Sequence, residues 1–559
     1  MSTFSLAVRR HVESHAPALV SGVVDYPTLL EHGLPQIDFY DSRRHLGALT
    51  GEALAERVRG RAGALTARGL ARGDRVVMVA ENTEEYLATL LAVLLLGAVP
   101  CAVAPPPAPS RPESAGVLHL RAAIGVVAPA MVLASTRSAP AHRAAVCYED
   151  LEDAGSLLLP ELPHPTPDDT HHLQLTSGST SAPKAVVLTH GNVAHNIATV
   201  SRAMATVRNT GGLFSWLPMY HDMGFIQVLG ALIYGGRIGL MTPLGFLRDP
   251  LSWMRNMTHH RSTVTAGPTF AYRAATDALA RAGSPSGGLD LSELRHAYIG
   301  AEPIAATTLR DFTESFAPCG LRPDALVPSY GMAESVLATT IASHPAPEGP
   351  GNFGRVRALQ SDSMSAPLVS CGPPIDGMCV RIVDPNGAHV GEGAVGEIQI
   401  SGPSVMAGYL APDGKVVGPP GGWHDTGDRG LICGGELFVV GRSKEMLIVR
   451  GRNMPPYDVE RSIGELAQVG PGQAVVFSAP DDGRGRESLV AVVATGSGDA
   501  DQCLQIRAEV AARVRETFGF SLDDIVLVPK RSIPRTTSGK IQRLKTRDRY
   551  LTGRLPSRI

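Results

Sequence analysis

The run from Tyr86 to Ala104 most limits what this chain can become. Its nineteen residues are mostly apolar, close to the length that crosses a bilayer. Gly97 and Pro100 interrupt it, and the β-branched run Val76-Val-Met-Val-Ala80 stands just upstream. The pattern predicts a strand over 76–80, a helix over Thr83 to Leu96 and a second strand over Ala98 to Ala104. Such a βαβ unit is buried on both faces, so its strands are apolar throughout. The segment is expected inside a parallel sheet and not inside a membrane.

Strand-like and helix-like segments alternate through most of the remaining sequence, which predicts an α/β architecture. At 559 residues the chain exceeds one hydrophobic core and should divide into two to four domains. The character changes after Lys444 to a compact α+β pattern. Strands are expected over Gln473 to Ser478, Ser488 to Thr495 and Ile525 to Pro529, with an amphipathic helix over Gln502 to Phe518. The major boundary is expected near Gly441–Lys444, and His344 to Pro367, rich in Pro, Gly and Ser, reads as an irregular insertion. The formal net charge is −2, without long basic or acidic blocks. That argues against a nucleic-acid or anionic-membrane partner. Seven scattered cysteines without a CxxC fit a reduced cytoplasmic protein with no disulfide framework or zinc site. The N-terminal Met1-Ser-Thr-Phe-Ser5 shows neither the basic nor the apolar region of a signal peptide.

Only six lysines stand against 45 arginines, and three of the six lie in short segments rich in Gly, Ser or Thr. These are Lys184, Lys444 and Lys540. Lysine is a compact point charge on a flexible stem, where arginine is a broad fork. A site that must move one small cation against a phosphoryl oxygen could demand the former, though three of six could also fall in such segments by chance. Thr176-Ser-Gly-Ser-Thr-Ser-Ala-Pro-Lys184 follows a short apolar segment. Small residues there let backbone N–H groups converge on a phosphate, while a plain flexible loop is the bland alternative. It is not a Walker A loop, since Pro183 stands where that pattern needs a second glycine.

The segment resembles the phosphate loop of the adenylate-forming superfamily, and four more motifs of that family follow in order. Tyr330-Gly-Met-Ala-Glu334 resembles the adenine and metal segment, and Trp423-His-Asp-Thr-Gly-Asp428 the ribose segment. Gly441-Arg-Ser-Lys444 resembles the hinge, and Pro534-Arg-Thr-Thr-Ser-Gly-Lys540 the C-terminal catalytic loop. Trp216-Leu-Pro-Met-Tyr-His221-Asp-Met-Gly224, Gly300-Ala-Glu-Pro303, Leu368-Val-Ser-Cys-Gly372 and the insertion before Leu368 resemble the fatty acyl-AMP ligase branch. Met219 and Met454-Pro-Pro-Tyr457 depart from that branch, which bears on acceptor and acyl choice and not on adenylation.

The resemblance implies an acyl-CoA synthetase-like α/β fold. A large multi-subdomain adenylation domain would span 1–441, and a small mobile α+β domain 442–559. It implies that ATP and Mg²⁺ activate a small carboxylic acid, fatty or polyketide-like, to acyl-AMP with release of pyrophosphate. The acyl group would then pass to a phosphopantetheine thiol on an acyl carrier protein or a polyketide or peptide synthetase. A CoA ligase is the closest alternative. A non-catalytic adenylate-binding homologue and a luciferase-like oxygenase are the rivals from other classes. In this reading Thr176, Ser177, Gly178, Ser179, Thr180 and Lys184 wrap the leaving phosphates, with Lys184 otherwise a surface lysine. Glu334 holds Mg²⁺, a hard cation suited to carboxylate oxygens. Tyr330, with Gly331, Met332 and Ala333, lies along adenine, and Gly300, Ala301 and Glu302 form the opposite wall. Asp428 accepts both ribose hydroxyls, unless it is only a turn residue, and Arg442 adds a donor. Lys444 is the hinge, and Lys540 bridges the substrate carboxylate and the α-phosphate. His221, Gly267 and Pro268 border the acyl pocket, with His221 equally readable as a structural residue.

Overall fold

The computed structural model describes residues 5–151, 164–176, 183–283, 288–349, 352–360, 367–449, 452–481, 486–496, 498–536 and 540–556. The βαβ unit forms as its sequence requires. Arg75–Val79 and Val99–Val103 pair in parallel, with Val77 opposite Cys101, and helix Glu84–Leu95 crosses between them. Thr83 caps that helix by accepting from the Tyr86 amide, and Glu84 and Glu85 sit at its positive end. Every residue from Tyr86 to Leu95 is buried, so no polar face is needed. No helix among the described residues is long and apolar enough to cross a membrane.

The unit lies within an eight-stranded sheet. Val99–Val103 pairs next with Thr170–Thr176, which turns back as Lys184–Thr189. This antiparallel return sets Thr176 opposite Lys184. A second eight-stranded sheet contains six neighbouring parallel strands: Leu326–Tyr330, His296–Gly300, Val264–Pro268, Gly212–Ser215, Arg237–Met241 and Ile37–Tyr40. Ligands of α/β sheets bind beyond the carboxyl ends of parallel strands. Four of these strands end in a segment singled out from sequence. Ser215 leads into Trp216–His221, Pro268 closes its own strand, Gly300 leads into Ala301 and Glu302, and Tyr330 leads into Gly331–Glu334. The topology therefore gathers four distant segments along one rim.

A four-stranded antiparallel sheet follows, and its strands His424–Cys433 and Glu436–Arg442 set Asp428 opposite Arg442. The described part of the insertion contributes Ala358–Leu359, paired with Leu368–Val369. Arg357 fastens it by donating to Glu436 at 3.0 Å and lying 5.5 Å from the Phe438 ring centre.

The smaller C-terminal unit builds its own core. Its sheet holds Ala474–Asp481, Arg486–Thr495 and Asp524–Pro529, packed with helices Pro456–Gly464, Ala500–Phe518 and Arg543–Leu551. The two hydrophobic clusters here use no residue before Leu447. The large and small units thus bury separate hydrophobic clusters.

Candidate active site

Three side-chain clusters line the rim. The first surrounds Glu334. The Tyr409 hydroxyl donates to Glu334 Oε1 at 2.8 Å, and the Lys184 ammonium lies 5.0 Å from the Tyr409 ring centre. Burial raises the Tyr409 phenol well above its ordinary value, and the Glu334 charge raises it further, so the hydroxyl stays a donor. Burial lowers the pKa of neighbouring His424, which also feels the opposite charges of Glu334 and Lys184. The backbone around Glu334 is constrained. Leu337 N–H donates to Ser335 O at 2.8 Å across Val336, whose φ is 67° and ψ is −63°. This is the rare γ-turn with positive φ, costly for a β-branched residue. Such strain persists where surrounding structure enforces it, often at functional sites. Met332 O accepts from the Ser335 hydroxyl at 3.1 Å and Ala333 O from Val336 N–H at 3.0 Å. Gly331 is required there, since a Cβ would stand 1.7 Å from Leu337 O.

The second cluster is a buried carboxylate gripped from two sides. Asp428 is 6% exposed. Its Oδ2 accepts from the Tyr330 hydroxyl at 2.7 Å, and its Oδ1 pairs with Arg442 Nε at 2.9 Å. Arg442 also donates to Thr426 O at 3.1 Å. Burial pushes the Asp428 carboxyl up, and the guanidinium and phenol oppose it. A carboxylate offers about four acceptor positions, so two bonds leave capacity for a diol.

The third cluster joins the two units. Lys540 lies close enough to lower the pKa of both Asp222 and Glu302. Burial pushes Asp222 up, but the paired His221 imidazole and the Lys540 ammonium more than reverse it. Asp222 also accepts from the Met223 amide at 2.6 Å at the start of helix Asp222–Tyr234. Glu302 is raised by burial against the pull of Phe270 N–H, Lys540 and Arg535. It accepts from Phe270 N–H at 3.2 Å, so it stands between the start of helix Thr269–Ala282 and the charges of Lys540 and Arg535. The Lys540 backbone is closed on itself: Thr536 N–H donates to Lys540 O at 2.7 Å, and Lys540 N–H donates to Thr536 Oγ1 at 3.0 Å.

Gly300 packs tightly, with a Cβ there meeting Ser329 O at 2.7 Å, and Ala301 takes a left-handed φ of 65°. Gly267 and Pro268 end their strand beside an aromatic group in which Trp216 stacks on Phe246 at 3.8 Å. A Cβ on Gly267 would stand 3.1 Å from the Trp253 ring. Lys444 is exposed in the short turn Ser443–Glu445. Thr176 is described at its strand end, whereas Ser177, Gly178, Ser179 and Thr180 lie outside the described residues.

The structure adds residues that sequence reading passed over. Asp222 was within a recognised motif and adjoins His221, so charge beside a candidate histidine could have marked it. Tyr409 carried no local signal, because only the pairing of Gly408–Leu410 with Lys184–Thr189 brings it to Glu334. Asn82 likewise acts at long range. It donates to Leu217 O and Met241 O, both at 2.9 Å, and accepts from Met219 N–H at 3.3 Å, which fixes the loop leading to His221.

Parallel strands whose carboxyl ends gather these clusters, beside a smaller α+β unit, have the architecture of an adenylate-forming α/β enzyme. The chain belongs to the AMP-binding enzyme family, whose model matches residues 37–410, and it is an ATP-dependent, AMP-forming acyl ligase. Residues 444–558 match the Disco-interacting protein 2-like AMP domain. The chain is 34% identical to a long-chain-fatty-acid–AMP ligase, FadD26, of Mycobacterium tuberculosis, covering 86% of this chain and 87% of the relative. It is 32% identical to a 4-hydroxyphenylalkanoate adenylyltransferase of the same organism, covering 86% and 82%. A structure from studies of fatty acyl-adenylate ligases from E. coli and L. pneumophila superimposes with a TM-score of 0.81 at 29% identity, covering 94% and 98%. A fatty acyl-adenylate ligase from L. pneumophila, solved with acyl adenylate and pyrophosphate, gives 0.66 at 25% identity, covering 99% and 96%.

Proposed function

We propose that this ligase activates a fatty or aryl-substituted carboxylic acid and then transfers the acyl group to the phosphopantetheine thiol of a carrier protein in the cytoplasm. In the first half-reaction a carboxylate oxygen bonds to the α-phosphorus of ATP, and the bond from that phosphorus to the bridging oxygen breaks. Pyrophosphate leaves with the electron pair. Both partners are anionic, so catalysis is positioning and charge neutralisation. Asp428, assisted by Arg442, holds the ribose hydroxyls, Tyr330 lies along the base, and Gly300, Ala301 and Glu302 form the facing wall. Residues 176–180 and Lys184 receive the leaving phosphates. Lys540 neutralises the charge that builds between carboxylate and α-phosphate.

The observation that best supports this reading is Lys540, delivered by the small unit to within electrostatic reach of Asp222 and Glu302 on the rim of the large one. Glu334 fits a magnesium ion in part. Tyr409 occupies one of its carboxylate oxygens, and among the described residues no group of three or more His, Cys, Asp or Glu is arranged for a metal. Glu334 would therefore share the ion with phosphate oxygens, where Mg²⁺ neutralises phosphate charge. We place the pivot at Lys444, between 1–441 and the small domain. On one side Arg442 and Ser443 bond Thr426, Asp428 and Glu397 of the large unit. On the other, Glu445 bonds Arg543.

The test is ATP–pyrophosphate exchange with a panel of long-chain fatty and hydroxyphenylalkanoic acids, followed by addition of CoA or a holo carrier protein. Exchange with one of these acids and acyl transfer to the carrier is expected. No exchange with any acid would sink the activity, and brisk acyl-CoA formation would replace the carrier as acceptor.

A further inference from the structure

Arg543 stands three residues beyond Lys540 and is 9% exposed. All three guanidinium nitrogens are engaged. Nε and Nη2 form a fork on Glu460, at 3.0 and 2.8 Å, and Nη1 bonds Glu445 Oε2. Glu460 Oε1 accepts in addition from Val476 N–H at 2.8 Å. Burial lowers the Arg543 pKa, but the two carboxylates more than restore it, so the charge is kept. A charge placed at such depth is costly unless fully paired. A helix start in a small domain could have been closed with apolar residues at less cost.

The connections explain the choice. Glu445 is the first residue beyond Lys444, in the turn Ser443–Glu445. Its charge reaches the ribose-site pair, raising Asp428 and Arg442 as a minor influence on each. At the other end, Gln542 N–H donates to Pro534 O at 2.9 Å and Thr536 N–H to Lys540 O at 2.7 Å. The loop carrying Lys540 is thereby closed at its base, and Arg543 is the next residue. Fixing the guanidinium fixes that base relative to the turn at the pivot. Helix Pro456–Gly464, which contributes Glu460, makes the link a triangle and not a single tether.

We propose that Arg543 is a positioning residue for Lys540: with Glu445 and Glu460 it locks the lysine loop to the first residue past the pivot, so that the turn at Lys444 sets where the ammonium arrives. The proposal rests on the adenylation role of Lys540 given above. Lysine cannot reproduce a fork plus a third bond, so Arg543→Lys keeps the charge while loosening the geometry.

A double-mutant cycle tests it, using single-turnover formation of acyl-AMP, which reads very slow rates. Arg543→Lys alone should lower the rate about 10- to 100-fold with the KM for ATP unchanged. In a Lys540→Ala background the same substitution should cost nothing further, because its effect passes through the lysine. Equal losses in both backgrounds, or no loss in either, would overturn the proposal. If Arg543→Lys fails to fold, Glu445→Gln, which leaves the Glu460 fork intact, goes through the same cycle under the same criteria. Full activity in Lys540→Ala alone would instead remove the assignment of Lys540, and this proposal with it.

Discussion

The Asp428 end and the Lys540 end of this site are built on opposite plans. Asp428, Tyr330 and Arg442 are held by short bonds between strands of the large unit, with the carboxylate buried at 6% exposure. Lys540 stands beside Ile541, which packs on another hydrophobic core, on a segment closed by its own backbone and followed by Arg543, which bonds Glu445 in the turn Ser443–Glu445. One end is a rigid grip and the other a delivered charge. The proposed two-step reaction would use this division, with the nucleotide kept in place while the cation is supplied for one step and withdrawn for the next.

The contrast can be broken most severely at the moving end. Lys540→Ala should slow acyl-AMP formation on the order of 10²–10³-fold while leaving ATP binding intact, as single-turnover kinetics and nucleotide titration would show. At the fixed end the pattern should invert. Asp428→Ala removes a charged acceptor and strands Arg442 and Tyr330, so ATP affinity should fall by about 2–3 kcal/mol, measurable by calorimetric titration.

Acid should separate the halves too. All eighteen histidines precede residue 425. Several are buried and neutral: His172 is lowered to about 3, His190 to about 4 and His195 to about 4, each chiefly by burial. His171 is also lowered well below its ordinary value by burial, and it contacts His172 at 2.7 Å and the Tyr26 hydroxyl at 2.7 Å. Their native pKa values lie below the unfolded one, so stability is full above about pH 6.5 and is lost as pH falls toward about 4. His195 alone should cost about 2 kcal/mol between pH 7 and pH 5, and the buried His171, His172 and His190 act in the same direction. Scanning calorimetry at those two values should lower the transition of the large unit and barely move that of the small one. A uniform shift of both would contradict it. The smallest effect is expected at Tyr409→Phe, which keeps the ring beneath Lys184 but removes the hydroxyl that orients the Glu334 carboxylate. About 1 kcal/mol should appear as a several-fold higher Mg²⁺ requirement in the exchange assay.

Elements set by local pattern were readable in the sequence. The βαβ unit over 75–103 and the three strands of the small unit fall where periodicity put them, because each buries a continuous apolar run. Asp428, Glu334 and Lys540 were singled out by the resemblance of their segments to family motifs, and the structure sets Asp428 against Tyr330 and Arg442 and Glu334 against Tyr409. Tyr409, Asn82 and the Arg543–Glu445 contact were not. Their partners lie 75, 135 and 98 residues away, and nothing in a local window signals which distant carbonyl or carboxylate a side chain will meet. The γ-turn at Val336 was invisible for a related reason, as valine ordinarily avoids positive φ.

One measurement weighs the rigid grip against the delivered charge: acid-dependent ATP–pyrophosphate exchange of the native chain, Lys540→Ala and Asp428→Ala, resolved into kcat and KM for ATP. Lys540→Ala should lose kcat at unchanged KM, and Asp428→Ala should chiefly raise KM. A Lys540→Ala enzyme that keeps its kcat, or one that loses affinity for ATP in its place, would contradict the division.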